Sequence, residues 1–166
     1  MTATNNTETN TEEQSLLERA GYILAMREHG RLELRRKLLH PRKKDVTPPP
    51  VDLVDTVLDR LEELGLLDDG RYARQAAEQL TRKGLSATGV RRELLARGVE
   101  QEAVEAALPP AEEDATRLEA LLRQPTYARK LASERGRRSV FQALLRRGYR
   151  HGEILRAMDI TDNMDE

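Results

Sequence analysis

Residues 90–108, VRRELLARGVEQEAVEAAL, and residues 140–158, VFQALLRRGYRHGEILRAM, lie fifty positions apart and align without a gap. Val90/Val140, Leu94/Leu144, Leu95/Leu145, Arg97/Arg147, Gly98/Gly148 and Ala107/Ala157 are identical pairs, and Val104/Ile154 and Leu108/Met158 are conservative. Each copy reads as helix, glycine turn, helix. Val90, Leu94 and Leu95 share one helical face, with arginines on the other side. Gly98 suits the left-handed position that ends a helix, because a side chain there would clash. Val99, or Tyr149 in the second copy, then folds back as the apolar contact beyond the cap. The following helix buries Val104 and Leu108 and stops before Pro109-Pro110.

A weaker third copy lies upstream. Leu34, Leu38 and Leu39 match the first helix, Val57 and Leu61 match the second, and the joining turn is expanded into HPRKKDVTPPP at 40–50. A leading helix precedes each pair, at about 13–28, about 70–82 and about 111–123. The reading is an all-α chain of three tandem three-helix, helix-turn-helix-like repeats in an extended arrangement. Repeat 1 covers 15–67, repeat 2 covers 68–109 and repeat 3 covers 110–159. Residues 1–14 and 160–166 are expected to be disordered acidic tails. Composition agrees: Ala, Leu, Glu, Arg and Lys make up a little over half of the 166 residues, and aromatics only 3%. Such a chain favours helix but cannot build one large core.

The linker Leu61-Glu62-Glu63-Leu64-Gly65-Leu66-Leu67-Asp68-Asp69 ends one helix at Gly65 and starts the next at Asp68 or Asp69. An aspartate there accepts from unpaired backbone N–H groups and meets the positive end of the helix dipole. Adjacent carboxylates could also suggest a metal or acid–base pair. With no histidine or third carboxylate close by, capping is the reading taken.

The formal net charge is −1, yet the sign alternates in blocks. Residues 27–44 hold eight bases against two acids, and 51–70 hold one against seven. Residues 71–97 hold seven bases and two acids, 98–122 one base and seven acids, and 123–151 nine bases and one acid. Setting aside the seven acids of the two termini leaves +6 on residues 15–158. One such block alone reads as a solvated helix face; three in step with a repeat point to charged surfaces with a partner.

Catalytic chemistry finds no support. There is no cysteine, which removes disulfides, thiolate zinc sites and thiol nucleophiles. His29, His40 and His151 are scattered, and a solvated or capping role is expected for His29 and His151. No Gly-rich phosphate loop or nucleophile elbow is present. Ser86 and Ser139 are expected as helix N-caps. No cofactor, metal or membrane span is expected, and the absence of a basic start and apolar run in residues 1–10 leads to a cytoplasmic protein.

Several stretches together resemble the RecX family, regulators of the RecA recombinase. They are Glu33-Leu34-Arg35-Arg36-Lys37-Leu38, Gly65-Leu66-Leu67-Asp68-Asp69 followed by Arg71-Tyr72-Ala73, Lys83-Gly84, Arg97-Gly98-Val99 and Arg147-Gly148-Tyr149. The resemblance spans about 20–158. It implies a curved molecule of three three-helix repeats that binds the RecA–DNA nucleoprotein filament along its groove. It further implies inhibition of RecA in recombination, DNA repair and the SOS response. Three features depart from the family's pattern. Gly30 stands where a serine cap is frequent, so the second helix is expected to fray. Repeat 1 carries the Pro-rich 40–50 insert, and the acidic tails are additional.

The expected contact residues are Arg35, Arg36, Lys37, Arg82, Lys83, Arg91, Arg92, Arg97, Arg137, Arg138, Arg146 and Arg147. Arginine suits the task because its planar fork bonds carboxylate or phosphate in pairs. The expected partner is RecA and its DNA filament, with weak binding to DNA itself, by a monomer. A rival reading is a helix-turn-helix protein acting on duplex DNA. Against it, the second helix of the middle repeat carries Glu100, Glu102 and Glu105, which repel phosphate. A purely structural helical scaffold is the third reading.

Overall fold

The computed structural model describes residues 3–40 and 47–164, with side chains described for 11–40 and 47–159. The described residues form helices α1 (Ala3–Met26), α2 (Arg31–Leu39), α3 (Val51–Glu63), α4 (Asp69–Arg82), α5 (Ala87–Ala96) and α6 (Gln101–Ala107). A 3-10 turn (Ala111–Glu113) then leads into α7 (Asp114–Leu122), α8 (Pro125–Leu131), α9 (Glu134–Arg146) and α10 (His151–Met164), and no strand occurs among the described residues.

The chain divides into two compact units. One comprises Met1–Ala73 with Arg97–Ala103, and the other Arg74–Ala96 with Val104–Glu166. The first has its core among α1, α2 and α3, from Leu16, Ala20, Leu34, Leu38, Val54, Val57, Leu58 and Leu61, closed by Leu67. In the second, Leu118, Leu121 and Leu122 of α7 meet Leu131 of α8, Val140 and Leu144 of α9, and Ile154, Ala157 and Met158 of α10. Cores this thin rest on aliphatic burial, at about 1.5–3 kcal/mol for each fully buried leucine or valine.

The register of the repeat is sharper in the structure. Helices α3, α6 and α10 begin at Val51, Gln101 and His151, and their fourth residues, Val54, Val104 and Ile154, are all completely buried. The first repeat therefore aligns through Val54 and Leu58, three residues before the expected Val57 and Leu61. All four are buried in α3, so apolar spacing alone could not choose between the two registers.

The glycine turns are as the sequence reading has them. Gly98 and Gly148 have φ of +80° and +92°, and Val99 and Tyr149 beyond them are buried. These turns also dock. In the first unit, a side-chain carbon on Gly98 would lie 2.0 Å from the Leu32 side chain, in the first turn of α2. In the second unit, one on Gly148 would lie 2.4 Å from the Gly89 backbone nitrogen, in the first turn of α5. There the Ser86 backbone N–H donates to the Arg147 carbonyl at 3.1 Å. Each turn thus seats on the start of the preceding repeat's second helix.

Several expectations need correction. Ser86 does cap α5, accepting from the Gly89 N–H at 3.1 Å, but Ser139 lies inside α9. The cap of α9 is Ser133, which accepts from the Gly136 N–H at 3.2 Å. The segment 123–136 forms the additional helix α8, with Pro125 in its first turn, where a missing N–H costs nothing. Repeat 3 therefore has four helices rather than three. The expected tails are helical where described: α1 begins at Ala3 and α10 runs to Met164. Extending an already packed helix avoids the cost of nucleation. Of the Pro-rich insert 40–50, residues 41–46 lie outside the described residues.

Gly89 gives a stability test with a diagnostic sign. Inside a helix, Gly→Ala normally stabilises, but a Cβ here would sit 2.1 Å from the Arg147 carbonyl oxygen. Gly89→Ala is expected to lower unfolding stability by about 1–3 kcal/mol, read by urea denaturation; a gain would contradict the backbone contact.

Candidate interaction surface

The segment Asp68-Asp69-Gly70-Arg71-Tyr72 opens α4, and each polar side chain in it has a separate task. The Asp68 carboxylate accepts from the Arg71 N–H at 2.9 Å and caps its own helix. The Asp69 carboxylate instead accepts from the Arg31 N–H at 2.7 Å, the first residue of α2. It supplies the cap that Gly30 lacks, so the expected fraying of α2 is answered from another helix. Arg71 holds Glu28 at 2.7 and 3.3 Å, and the buried Tyr72 hydroxyl donates to Glu33 at 3.4 Å. Burial pushes the Asp69 carboxyl above its ordinary range, opposed by the Arg31 N–H.

His29, expected in a solvated or capping role, is only 2% exposed. Its Nδ1 lies 2.8 Å from the Arg27 carbonyl and its Nε2 2.6 Å from the Lys37 Nζ. The neutral ring fits both: Nδ1–H donates to the carbonyl and Nε2 accepts from the lysine. Burial lowers its pKa.

The expected contact residues separate into paired and unpaired groups. Arg35 makes a two-point bond to Asp55 at 2.6 and 3.0 Å, and Arg91 makes one to Glu105 at 2.7 Å twice. These bonds pull the Asp55 and Glu105 carboxyls below their ordinary range. Lys37 faces His29 and Glu33, Arg82 pairs with Glu78, and Arg138 pairs with Glu134 at 2.5 Å. Arg92 donates to the Arg146 carbonyl at 2.5 Å. Arg97 reaches the Tyr72 hydroxyl at 3.5 Å, and the Arg147 guanidinium lies over the Tyr127 ring at 5.7 Å. Arg137 lies on α9 beside Arg138. Arg36, Lys83 and Arg146 are exposed and make no ion pair among the described residues.

Part of the block alternation in charge is therefore an internal zipper between the second and third helices of a repeat. Repeat 3 has no such pair at the position of Arg91 and Glu105. At the fifty-residue offset, Glu100, Glu102 and Glu105 become Arg150, Gly152 and Leu155, while Arg91 becomes Phe141. Among the described residues, Arg129 and Lys130 of α8 and Arg135 and Arg146 of α9 make no ion pair with α10. Beyond the expected residues, Arg129 and Lys130 on α8, Arg135 on α9, Arg150 in the turn and Arg156 on α10 are exposed, with no side-chain ion pair among the described residues. They had a visible signal in the nine-to-one charge ratio of 123–151. The sequence leaves the conformation of 123–136 open, so it does not show which of these bases share a face.

No group of three or more His, Cys, Asp or Glu residues placed to hold a metal occurs among the described residues. No helix among them is long and apolar enough to cross a membrane.

Fold and surface define the class first: an all-α helix-repeat protein with a basic face on its last repeat. Residues 68–108 match the family model described as RecX, second three-helix domain. The regulatory protein RecX of Pseudomonas entomophila (strain L48) is 33% identical over 144 residues, covering 84% of this chain and 89% of that protein. That of Pseudomonas savastanoi pv. phaseolicola (strain 1448A / Race 6) is 42% identical over 86 residues, 52% of each chain. The chain thus spans about half the length of the first such relatives it matches. The crystal structure of RecX from Lactobacillus salivarius superposes with a TM-score of 0.68 over 92% of this chain and 98% of that one, at 18% identity. The chain belongs to the RecX family of regulatory proteins.

Two measurements check the local chemistry. Asp69→Ala should cost about 0.5–2 kcal/mol in urea denaturation, as loss of an N-cap does, whereas Asp69→Asn keeps an acceptor without the buried charge and should cost less. Equal losses would contradict the capping role. For His29, a lowered folded pKa means the unfolded chain binds the proton first, so stability declines as pH falls below about 6.5. The wild type should lose more stability than His29→Gln between pH 7 and 5; parallel curves would contradict it.

Proposed function

We propose that this chain is a non-enzymatic inhibitor of RecA that binds the RecA–DNA filament in the cytoplasm as a monomer and restrains recombination, DNA repair and SOS signalling. Family membership supports regulation as the role. One observation supports the surface: Arg129, Lys130, Arg135, Arg146 and Arg150 are exposed and make no ion pair among the described residues, and Leu155 stands where the first two repeats have the carboxylates of Asp55 and Glu105. Such a face suits filament phosphates or an acidic protomer surface. Binding would inhibit by bridging protomers and fixing the filament's conformation, or by filling the groove that admits a second DNA. Several modest contacts along a repeat array sum through avidity.

The zipper changes which arginines belong in the contact set. Arg35 and Arg91 are spent on Asp55 and Glu105, and reversing them would damage the repeat before it touched a partner. Arg36, Lys83, Arg92 and Arg146 remain from the expected set as exposed candidates, with Arg129, Lys130, Arg135 and Arg150 added. The duplex-binding alternative is disfavoured because Glu105 serves the zipper and Glu100 and Glu102 face any approaching phosphate.

Titrating the chain into RecA hydrolysing ATP on single-stranded DNA should lower the rate. Replacing Arg129, Lys130, Arg135, Arg146 and Arg150 together by Ser should shift the midpoint at least about tenfold, ~1.4 kcal/mol, with helicity retained. Arg91→Ser should leave it within about twofold. An unshifted midpoint for the five-site variant would remove this surface, and an unchanged ATPase with wild type would remove the inhibition itself.

A further inference from the structure

The start of α9 copies the start of α5, three residues short of the fifty-residue offset. Ser86 and Gly89 at α5 become Ser133 and Gly136 at α9. In both, the serine hydroxyl accepts from the glycine N–H, at 3.1 and 3.2 Å. The serine carbonyl accepts from the residue after the glycine, Val90 or Arg137, at 2.8 Å. One outside carbonyl then closes on each pair. The Arg147 carbonyl takes the Ser86 N–H at 3.1 Å and leaves no room for a Cβ on Gly89. The Lys130 carbonyl takes the Ser133 N–H at 3.4 Å and leaves no room for a Cβ on Gly136. The two occupants differ in origin. On α5 the seat is filled by the glycine turn of the following repeat, and on α9 by the end of α8, from within repeat 3.

We propose that α8 is the end cap of the repeat array, and that its seating on α9 holds Arg129 and Lys130 toward the partner. An array leaves its last unit with a seat that no following unit covers, so its end needs a capping element with a polar outer face. Helix α8 meets both needs. Leu131 is buried in the core shared with α9 and α10. The Tyr127 ring packs on the same core, under the Arg147 guanidinium at 5.7 Å. The Lys130 carbonyl fills the seat. These three anchors, within little more than one turn, fix the rotation of a helix of seven residues, which is too short to hold by itself. The Arg129 and Lys130 side chains are left exposed, with no ion pair among the described residues. Gly136 is then a positioning residue, which touches no partner and acts through those two bases. The partner in this inference rests on the filament reading, whereas the seat does not.

The test pairs amide hydrogen exchange of the full chain with its inhibition of RecA ATP hydrolysis on single-stranded DNA. Gly136→Val places a side chain where the Lys130 carbonyl sits and should unseat α8. Amides 127–131 should then exchange at least about tenfold faster, with those of α10 little changed. The inhibition midpoint should rise about threefold. Arg129→Ser with Lys130→Ser should raise the midpoint by a similar factor while exchange in α8 stays as it was. All three changes together should stay near threefold, because an unseated α8 no longer presents those bases, rather than multiply to about ninefold. A ninefold rise, or a midpoint that either variant leaves in place, overturns the positioning role. Unchanged exchange of 127–131 in Gly136→Val overturns the seat. A wild type that does not lower ATP hydrolysis removes the filament reading and the positioning role with it, while the exchange result still decides the cap. Should Gly136→Val not fold, exchange in the wild type decides. Amides 127–131 protected together with α9 support the cap, and amides that exchange as a frayed segment overturn it.

Discussion

The left-handed turn at Gly98 and Gly148 is the constraint from which the repeat follows. It ends one helix, reverses the chain into the next, and puts a residue without a side chain where the preceding repeat's helix must approach. At Gly148 the approach is backbone to backbone, with the Arg147 carbonyl receiving the Ser86 N–H and Gly89 opposite. A side chain at Gly148 would force the helices apart, and one at Gly98 would displace Leu32. Contacts this close let a chain poor in large apolar residues still exclude water, because helix backbones replace the missing side-chain volume. The fold then needs only small cores, built from leucine and valine, within each unit.

Capping follows the same economy. Gly30 leaves the start of α2 without a cap of its own, and the Asp69 carboxylate from α4 takes the place. Asp68 and Asp69 look interchangeable in sequence but cap different helices. The carboxylate that reaches across is the one whose pKa is raised by burial.

Much of this was legible in the sequence, because the information is local. The glycine turns, the apolar faces of α9 and α10, that of α5 apart from Leu95, which is 45% exposed, the Ser86 cap and the family resemblance all follow from short spacings. What was not legible depends on distance in space. A doubly apolar face in α3 offered two registers three residues apart. Ser139 resembled a cap because nothing nearby in sequence shows that α9 starts at Glu134, behind Ser133. His29 is buried in the connection between α1 and α2, with its Nε2 bonded to Lys37 eight residues on. The candidate surface was legible as charge and not as availability. Arg35 and Arg91 resemble Arg36 and Arg92 in sequence, but only the first two face a carboxylate on the next helix. Comparing the copies position by position recovers part of this, since Phe141 and Leu155 replace a charged pair that the other repeats keep.

The central claim is that the last repeat meets the partner through Arg129, Lys130, Arg135, Arg146 and Arg150, which make no ion pair among the described residues. Hydrogen–deuterium exchange of the full chain, alone and bound to RecA filaments on single-stranded DNA, tests it most directly. The account expects added protection concentrated in α8, the first half of α9 and the turn at Arg150, with α2 and α3 little changed. Protection confined to α2 and α3, or none anywhere in α8 and α9, would contradict it.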